Sequence, residues 1–350
     1  MSQITVIGTT TWGKTLSIVF SRNGLDVRLW ARSKVEAMNL AGGKSDNPDI
    51  PGGKFPERIR ITSDIEKATT GAEAVVLAVP SHSMRDNIRT VKDCLDRKML
   101  VISAAKGFET NSNKRMSQVI GEEIPADLQP NICVLSGPNL SREIAKSWPA
   151  ATVLAASSED VAERARSLIT GPGFCVYTNT DITGVELGGA LKNIIALGAG
   201  MIDGLGFGDN TRAAFITRGL TEIAALGVAL GANPLTFSGL AGLGDLIATS
   251  TSSLSRNHYV GYELAKGRPL DDIIGSMKAV AEGVNTARTA IELSRQMSLG
   301  MPVTERIYQV LFEGVDPERV VSEVVPFEAR HELYGENWDL FSFTNHSNHS

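Results

Sequence analysis

The chain has 350 residues, 42% hydrophobic and 21% charged, with 34 basic against 39 acidic side chains and a formal net charge of -5. This balance suits a folded chain long enough for two sizeable cores. It excludes a disordered chain, and it gives no global attraction to nucleic acid or an anionic membrane. The opening MSQITVIG lacks the basic and long apolar regions of a signal peptide, and no uncharged apolar run reaches bilayer length, so a cytoplasmic protein without membrane insertion is expected. Cys94, Cys133 and Cys175 are odd in number and far apart, with no metal-ligand spacing; they read as reduced core thiols, and no metal is expected.

In chain order, β-branched runs at 4–7, 27–30, 75–79, 100–103, 132–135, 152–154 and 174–177 alternate with helical stretches. That alternation predicts an α/β fold with a parallel sheet, a Rossmann-like dinucleotide-binding domain over 1–183. In such sheets ligand loops lie at the carboxyl ends of strands, here at Gly8, Arg32, Pro80, Lys106 and Gly137-Pro138. Near Gly184 the character changes. From 184 to 325 the chain is rich in Ala, Leu and Gly with helical periodicity, which predicts an all-helical substrate domain. The tail over 326–350 is polar and irregular, and its His346 and His349 read as tail residues rather than metal ligands.

The run ITVIG, Gly8-Thr9-Thr10-Thr11-Trp12-Gly13, then KTLSIVFSRNG has the strand, turn and helix order of a dinucleotide fingerprint. In a complete GxGxxG the middle glycine lets the pyrophosphate approach the backbone, and Thr10 stands there instead. Either the phosphates shift outward onto threonine hydroxyls and helix amides, or cofactor binding is lost. A plain strand-to-helix turn is the simpler alternative. The second strand ends VRLWARS, so Arg32 and Ser33 replace the acid that would meet a ribose 2′-hydroxyl; they suit a 2′-phosphate and favour NADP over NAD, unless Arg32 is only a solvated arginine.

Within VELGGALKNIIALGAGMIDGL (185–205), Lys192 is the only basic residue. A buried ammonium needs a partner or a purpose. Gly188, Gly189, Ile195, Ala196 and Ala199 share its helical face, leaving room for a ligand, although a lysine whose head reaches water would also fit the pattern. Downstream, GLAGLGDL (239–246) surrounds Asp245 with glycines. SLSRN then places Ser255, Arg256 and Asn257 where a helix cap and a guanidinium would receive a small phosphate, or where a cap simply carries a surface arginine.

Together with AEGVNTA, AVPS, SAAKGFE and SGPN, these segments make the chain, from Ile4 to about Gly314, resemble the bacterial NAD(P)-dependent glycerol-3-phosphate dehydrogenase family. The resemblance implies reversible reduction of dihydroxyacetone phosphate to sn-glycerol 3-phosphate, with NADP preferred and NAD possible, in a homodimer that supplies phospholipid synthesis. It implies that Lys192 is the catalytic acid/base and that Asp245 orients it or holds a substrate hydroxyl. Lys106, Gly137, Asn139, Ser255, Arg256 and Asn257 would meet the substrate. The cofactor would meet Gly8, Thr10, Thr11, Trp12, Gly13, Arg32, Ser33, Lys106, Ser141, Arg256, Val280 and Glu282.

Thr10 departs from the family pattern, and so does Asn139-Leu140-Ser141, where a small hydroxyl residue, Phe and Ala are usual. Two other functions also fit parts of the pattern. One is a related two-domain hydroxy-acid or hydroxyacyl dehydrogenase; the other is a noncatalytic nucleotide-binding sensor, motivated by Thr10.

Overall fold

A computed structural model describes residues 2–42, 54–277 and 280–324, so the tail with His346 and His349 lies outside the described residues. Strands β1 (Gln3–Ile7), β2 (Asp26–Trp30), β3 (Ile59–Thr62), β4 (Ala74–Leu77), β5 (Leu100–Ser103), β6 (Ile132–Ser136), β7 (Ala150–Ala156) and β8 (Phe174–Asn179) form one sheet. Its order is β3-β2-β1-β4-β5-β6-β7-β8. All neighbours are parallel except β6 and β7, which run antiparallel. The first six strands follow the doubly wound 3-2-1-4-5-6 order, whose switch point between β1 and β4 opens the crevice for a dinucleotide.

Helices α1 (Thr11–Arg22), α2 (Lys34–Ala41), α3 (Ile65–Thr69), α4 (Met84–Val91), α5 (Met116–Glu123), α6 (Ser141–Ala145) and α7 (Glu159–Ile169) cover the sheet. Its central strands are apolar on both faces because both are covered. Ile4, Val6, Val76 and Ile102 share a core with Leu16 and Phe20 of α1 and Ala162 of α7. Ile7, Val75, Leu77 and Val101 point the other way, onto Ile88 of α4 and Ile120 of α5.

After β8 no further strand occurs among the described residues. The helical half comprises α8 (Ile182–Leu205), α9 (Asp209–Ala229), α10 (Asp245–Thr251), α11 (Arg256–Ala265), α12 (Leu270–Ser276), α13 (Glu282–Gln296), α14 (Pro302–Phe312) and α15 (Pro317–Val324). Its axis is α8, long and apolar enough to cross a bilayer, with its apolar stretch buried among its neighbours and only its ends half-buried. Glycines let α11 press against it: a Cβ on Gly261 would stand 1.8 Å from the Leu197 carbonyl oxygen, and one on Gly200 would stand 2.0 Å from that of His258.

Two buried carboxylates tie elements together. Glu186 of α8 accepts from the Ser117 amide at 2.7 Å and hydroxyl at 2.6 Å and pairs with Arg115, joining the helical half to α5; burial pushes its carboxyl up, against these donors. Glu222 of α9 caps α14 through the Val303 and Thr304 amides at 2.5 and 2.9 Å, and burial pushes it up to about 7.

Two expectations require correction. The edge strand β3 was not anticipated: its four residues, Ile-Arg-Ile-Thr, bury only Ile59, which leaves too little apolar signal in the sequence. The cysteines are not uniformly core thiols. Cys133 is buried, Cys94 is half-buried and Cys175 is exposed, because β8 closes the sheet edge and alternates Phe174 and Val176 inward with Cys175 and Tyr177 outward.

Candidate active site

The loop between β1 and α1 absorbs Thr10 without strain. Its φ of -61° is ordinary for any residue, and its hydroxyl donates to the Ala78 carbonyl at 2.8 Å while accepting from the Gly13 amide at 3.1 Å. The side chain therefore turns back to cap α1, leaving the Thr11 and Trp12 amides at the helix's open N-terminus for an anion. The outer glycines keep their expected purpose: Gly8 has φ +111°, and a Cβ on Gly13 would come within 2.0 Å of the Gly8 carbonyl oxygen. A dinucleotide thus fits this loop despite the threonine. Trp12 is half-buried and packs against the core of the sheet domain.

At the end of β2, Arg32 and Ser33 are exposed, and Ser33 caps α2 by accepting from the Glu36 amide at 3.1 Å. Glu36 reaches back over this corner. Its carboxylate accepts from the Thr9 hydroxyl and, at 3.1 Å, from the Arg32 amide.

Lys192, 6% exposed on α8, is bonded to Asp245 Oδ1 at 2.7 Å and also to Thr249. Lys106, in the loop after β5, meets the other carboxylate oxygen, Oδ2, at 2.6 Å and the Gly137 carbonyl at 2.8 Å. One buried carboxylate thus holds two ammoniums, one from each half of the chain. Asp245 reaches that position because the glycine-rich Leu240–Gly244 segment forms a π-helical turn directly before α10. The close fit shows at Gly188 of α8, where a Cβ would lie 2.6 Å from the Ala241 carbonyl oxygen. Burial pushes the Lys192 ammonium down to about 8; Asp245 opposes the shift, and the Lys106 and Arg256 cations add to it.

Around this centre, Ser255 caps α11 through the His258 amide at 3.2 Å. Asn257 donates to Asn193 Oδ1 at 2.8 Å and accepts from the Gly283 amide at 3.0 Å, which joins α8, α11 and α13. Arg256 remains open to solvent over much of its side chain, while the cleft crowds its guanidinium; desolvation lowers its pKa and Glu282 opposes. Glu282, first residue of α13, bridges to the sheet domain through the Ser81 hydroxyl at 2.6 Å and amide at 3.1 Å.

Asn139 has a fixed polarity. The Thr152 hydroxyl gives its proton to the Ser136 carbonyl at 2.8 Å, so toward Asn139 it acts only as acceptor and receives the amide Nδ2 at 3.0 Å. Asn139 Oδ1 is left buried without a protein partner among the described residues, an acceptor suited to a ligand hydroxyl or amide. Ser141 opens the short α6, and Val280 is half-buried just before α13; neither is bonded to the lysine centre. The structure therefore gathers Lys192, Asp245, Lys106 and Gly137 at one point, with Arg256, Asn257 and Glu282 around it. Gly8 to Gly13 and Arg32-Ser33 form a second locus at the β1 and β2 ends.

Sequence reasoning missed Thr249, Asn193, Ser81, Thr152 and Glu36 as members of these loci. Thr249 stands four residues after Asp245 on one helix face, a spacing that would have exposed it. Glu36 stands three residues after a capping serine, a position that signals only a helix start.

Two family models match this chain: the NAD-dependent glycerol-3-phosphate dehydrogenase N-terminus over residues 3–162 and its C-terminus over 181–322. The chain belongs to the NAD-dependent glycerol-3-phosphate dehydrogenase family. A relative from Dehalococcoides mccartyi named glycerol-3-phosphate dehydrogenase (NAD(P)+) is 58% identical over 342 residues, covering 97% of this chain and 95% of that protein. One from Chlorobium limicola with the same name is 40% identical, covering 95% and 99%. The crystal structure of glycerol-3-phosphate dehydrogenase from Coxiella burnetii superposes with a TM-score of 0.85 at 32% identity, over 92% of this chain and 98% of that one. In this chain a dinucleotide fold is joined to a helical half, and the lysine centre lies where the two meet.

Proposed function

We propose that this chain interconverts dihydroxyacetone phosphate and sn-glycerol 3-phosphate with NADPH or NADH, NADPH being preferred. The observation that carries this reading is Lys192, buried, held by Asp245 and brought to about 8 beside Lys106. At that value the group is an ammonium at neutral pH and still able to lose its proton, as an acid/base for a carbonyl and its alcohol must be.

The dinucleotide, when bound, supplies or takes a hydride at its nicotinamide. Lys192 Nζ donates a proton to the carbonyl oxygen of the substrate as it becomes an alkoxide, and as a neutral amine it takes that proton back in the oxidative direction. Asp245 holds Lys192 in line, since both of its oxygens are engaged by ammoniums. Lys106 keeps Lys192 acidic and offers its charge to the substrate. Arg256, with the cap residues Ser255 and Asn257, receives the substrate phosphate. Asn139 Oδ1 accepts from a substrate hydroxyl, and the Gly137 backbone lies alongside it. Gly8, Thr10, Thr11, Trp12 and Gly13 line the pyrophosphate loop, and Arg32 and Ser33 take the 2′-phosphate. Ser141, Val280 and Glu282 would hold the dinucleotide as well, and Lys106 and Arg256 would serve both it and the substrate.

We place the dinucleotide part in 1–183 and the substrate part in 184–325, and we expect a cytoplasmic homodimer that feeds phospholipid synthesis. The test follows NADPH absorbance with dihydroxyacetone phosphate, against NADH and against hydroxy and keto acids. Turnover confined to the phosphate substrate is expected; folded protein inert toward it would sink the reading. Lys192→Ala should cut kcat by about 10²-fold to 10⁴-fold with cofactor affinity nearly intact. Near-normal turnover in that variant would remove Lys192 from the mechanism.

A further inference from the structure

The corner between the β1 and β2 loops holds a carboxylate that the sequence motif does not assign. In a doubly wound sheet the adenosine ribose lies here, and the charge at the end of the second strand selects between a 2′-hydroxyl and a 2′-phosphate. Arg32 and Ser33 present the phosphate-favouring side of that choice. Glu36 presents the other. Its two oxygens take the Thr9 hydroxyl and the Arg32 amide at 3.1 Å, donors that a ligand in this corner would otherwise use.

A carboxylate serving only as a helix cap would return to the amide of the capping residue itself, here Ser33. Glu36 instead bonds one residue earlier and reaches across to the loop after β1. It is half-exposed, on the first turn of the eight-residue α2, so the side chain is free to swing outward. The corner thus carries both signs of charge: a guanidinium at Arg32, and a carboxylate that must be repelled or displaced when a 2′-phosphate arrives.

We propose that Glu36 is a cofactor-selecting residue: its carboxylate accepts from the ribose hydroxyls of NAD and competes with the 2′-phosphate of NADP for the Thr9 hydroxyl and the Arg32 amide. Arg32 and Glu36 then oppose each other, and the pair holds the enzyme open to both dinucleotides. This rests on the reading of Arg32 and Ser33 given above.

The test is the dissociation constant of NADPH and of NADH for wild type and for Glu36→Gln, by quenching of protein fluorescence. Removing one negative charge beside a phosphate should tighten NADPH by about tenfold and weaken NADH, moving their ratio by more than about tenfold. Glu36→Asp keeps the charge but withdraws it from Thr9 and the ribose corner, and should shift the ratio the same way but less. A role confined to capping would lower thermal stability and weaken both cofactors together, so an unchanged ratio in either folded variant overturns the proposal alone. Failure of wild type to bind either dinucleotide overturns it together with the dehydrogenase reading.

Discussion

Replacing Lys106 by methionine should move the proton-transfer step to higher pH. Lys106 and Lys192 grip opposite oxygens of Asp245, so their ammonium nitrogens stand about 5 Å apart; at an effective dielectric of about 20 two unit charges there repel by about 3 kcal/mol, or about two pH units. Lys106 is 19% exposed, and water screens part of that repulsion, leaving on the order of one unit. The sign follows from which form is used. Reduction needs the Lys192 ammonium, so its rate falls as pH rises through about 8; oxidation needs the neutral amine and rises over the same interval. Without Lys106 the ammonium persists further, and Asp245 has one cation left to stabilise. Both limbs should therefore move upward by about one unit. The assay is kcat from pH 6.5 to 10 in each direction at saturating substrates, since losing Lys106 also raises KM. A drop in kcat with both limbs unmoved would refute the electrostatic coupling and leave Lys106 a binding residue only.

Thr10→Gly weakens the α1 cap and removes the bond to the Ala78 carbonyl, and should cost no more than about 1 kcal/mol, a fall in Tm of about one or two degrees, while the NADPH dissociation constant stays within about threefold. A large gain in affinity would show that the Cβ obstructs the phosphates after all. Thr152→Val removes the acceptor that orients Asn139 and the hydroxyl that donates to the Ser136 carbonyl. It should raise KM for the phosphate substrate by about threefold to tenfold, with NADPH binding unchanged by fluorescence titration, because a hydrogen bond of about 1 kcal/mol is lost. Equal loss of both affinities would place Asn139 outside the substrate site.

Seven of the eight strands were legible because covered sheets write continuous apolar runs into a sequence. The short Ile59–Thr62 edge does not, since only one of its residues is buried. Lys192 was legible for the converse reason: one charge in a long apolar helix contradicts its surroundings. Its partners were only partly legible. Asp245 stood out among glycines, but Lys106 resembles any loop lysine until the fold carries it to the same carboxylate. Thr10 misled because a motif counts residue types, whereas the obstacle depends on where the side chain turns, and here it turns inward. Glu36 was hidden for a similar reason, its reach to Thr9 being a contact across two loops.

The burial of α8 has a consequence for the newborn chain. Before its partners fold around it, Ile182–Leu205 has the length and apolarity of a bilayer-spanning segment. Lys192 sits near its middle, where a charge in a lipid-embedded helix costs about 2.5–3.5 kcal/mol, and Glu186 adds a second charge about one turn from its start. The lysine held by Asp245 in the finished protein and the glutamate that straps its halves together therefore also discourage the segment from partitioning into lipid while it waits to be covered.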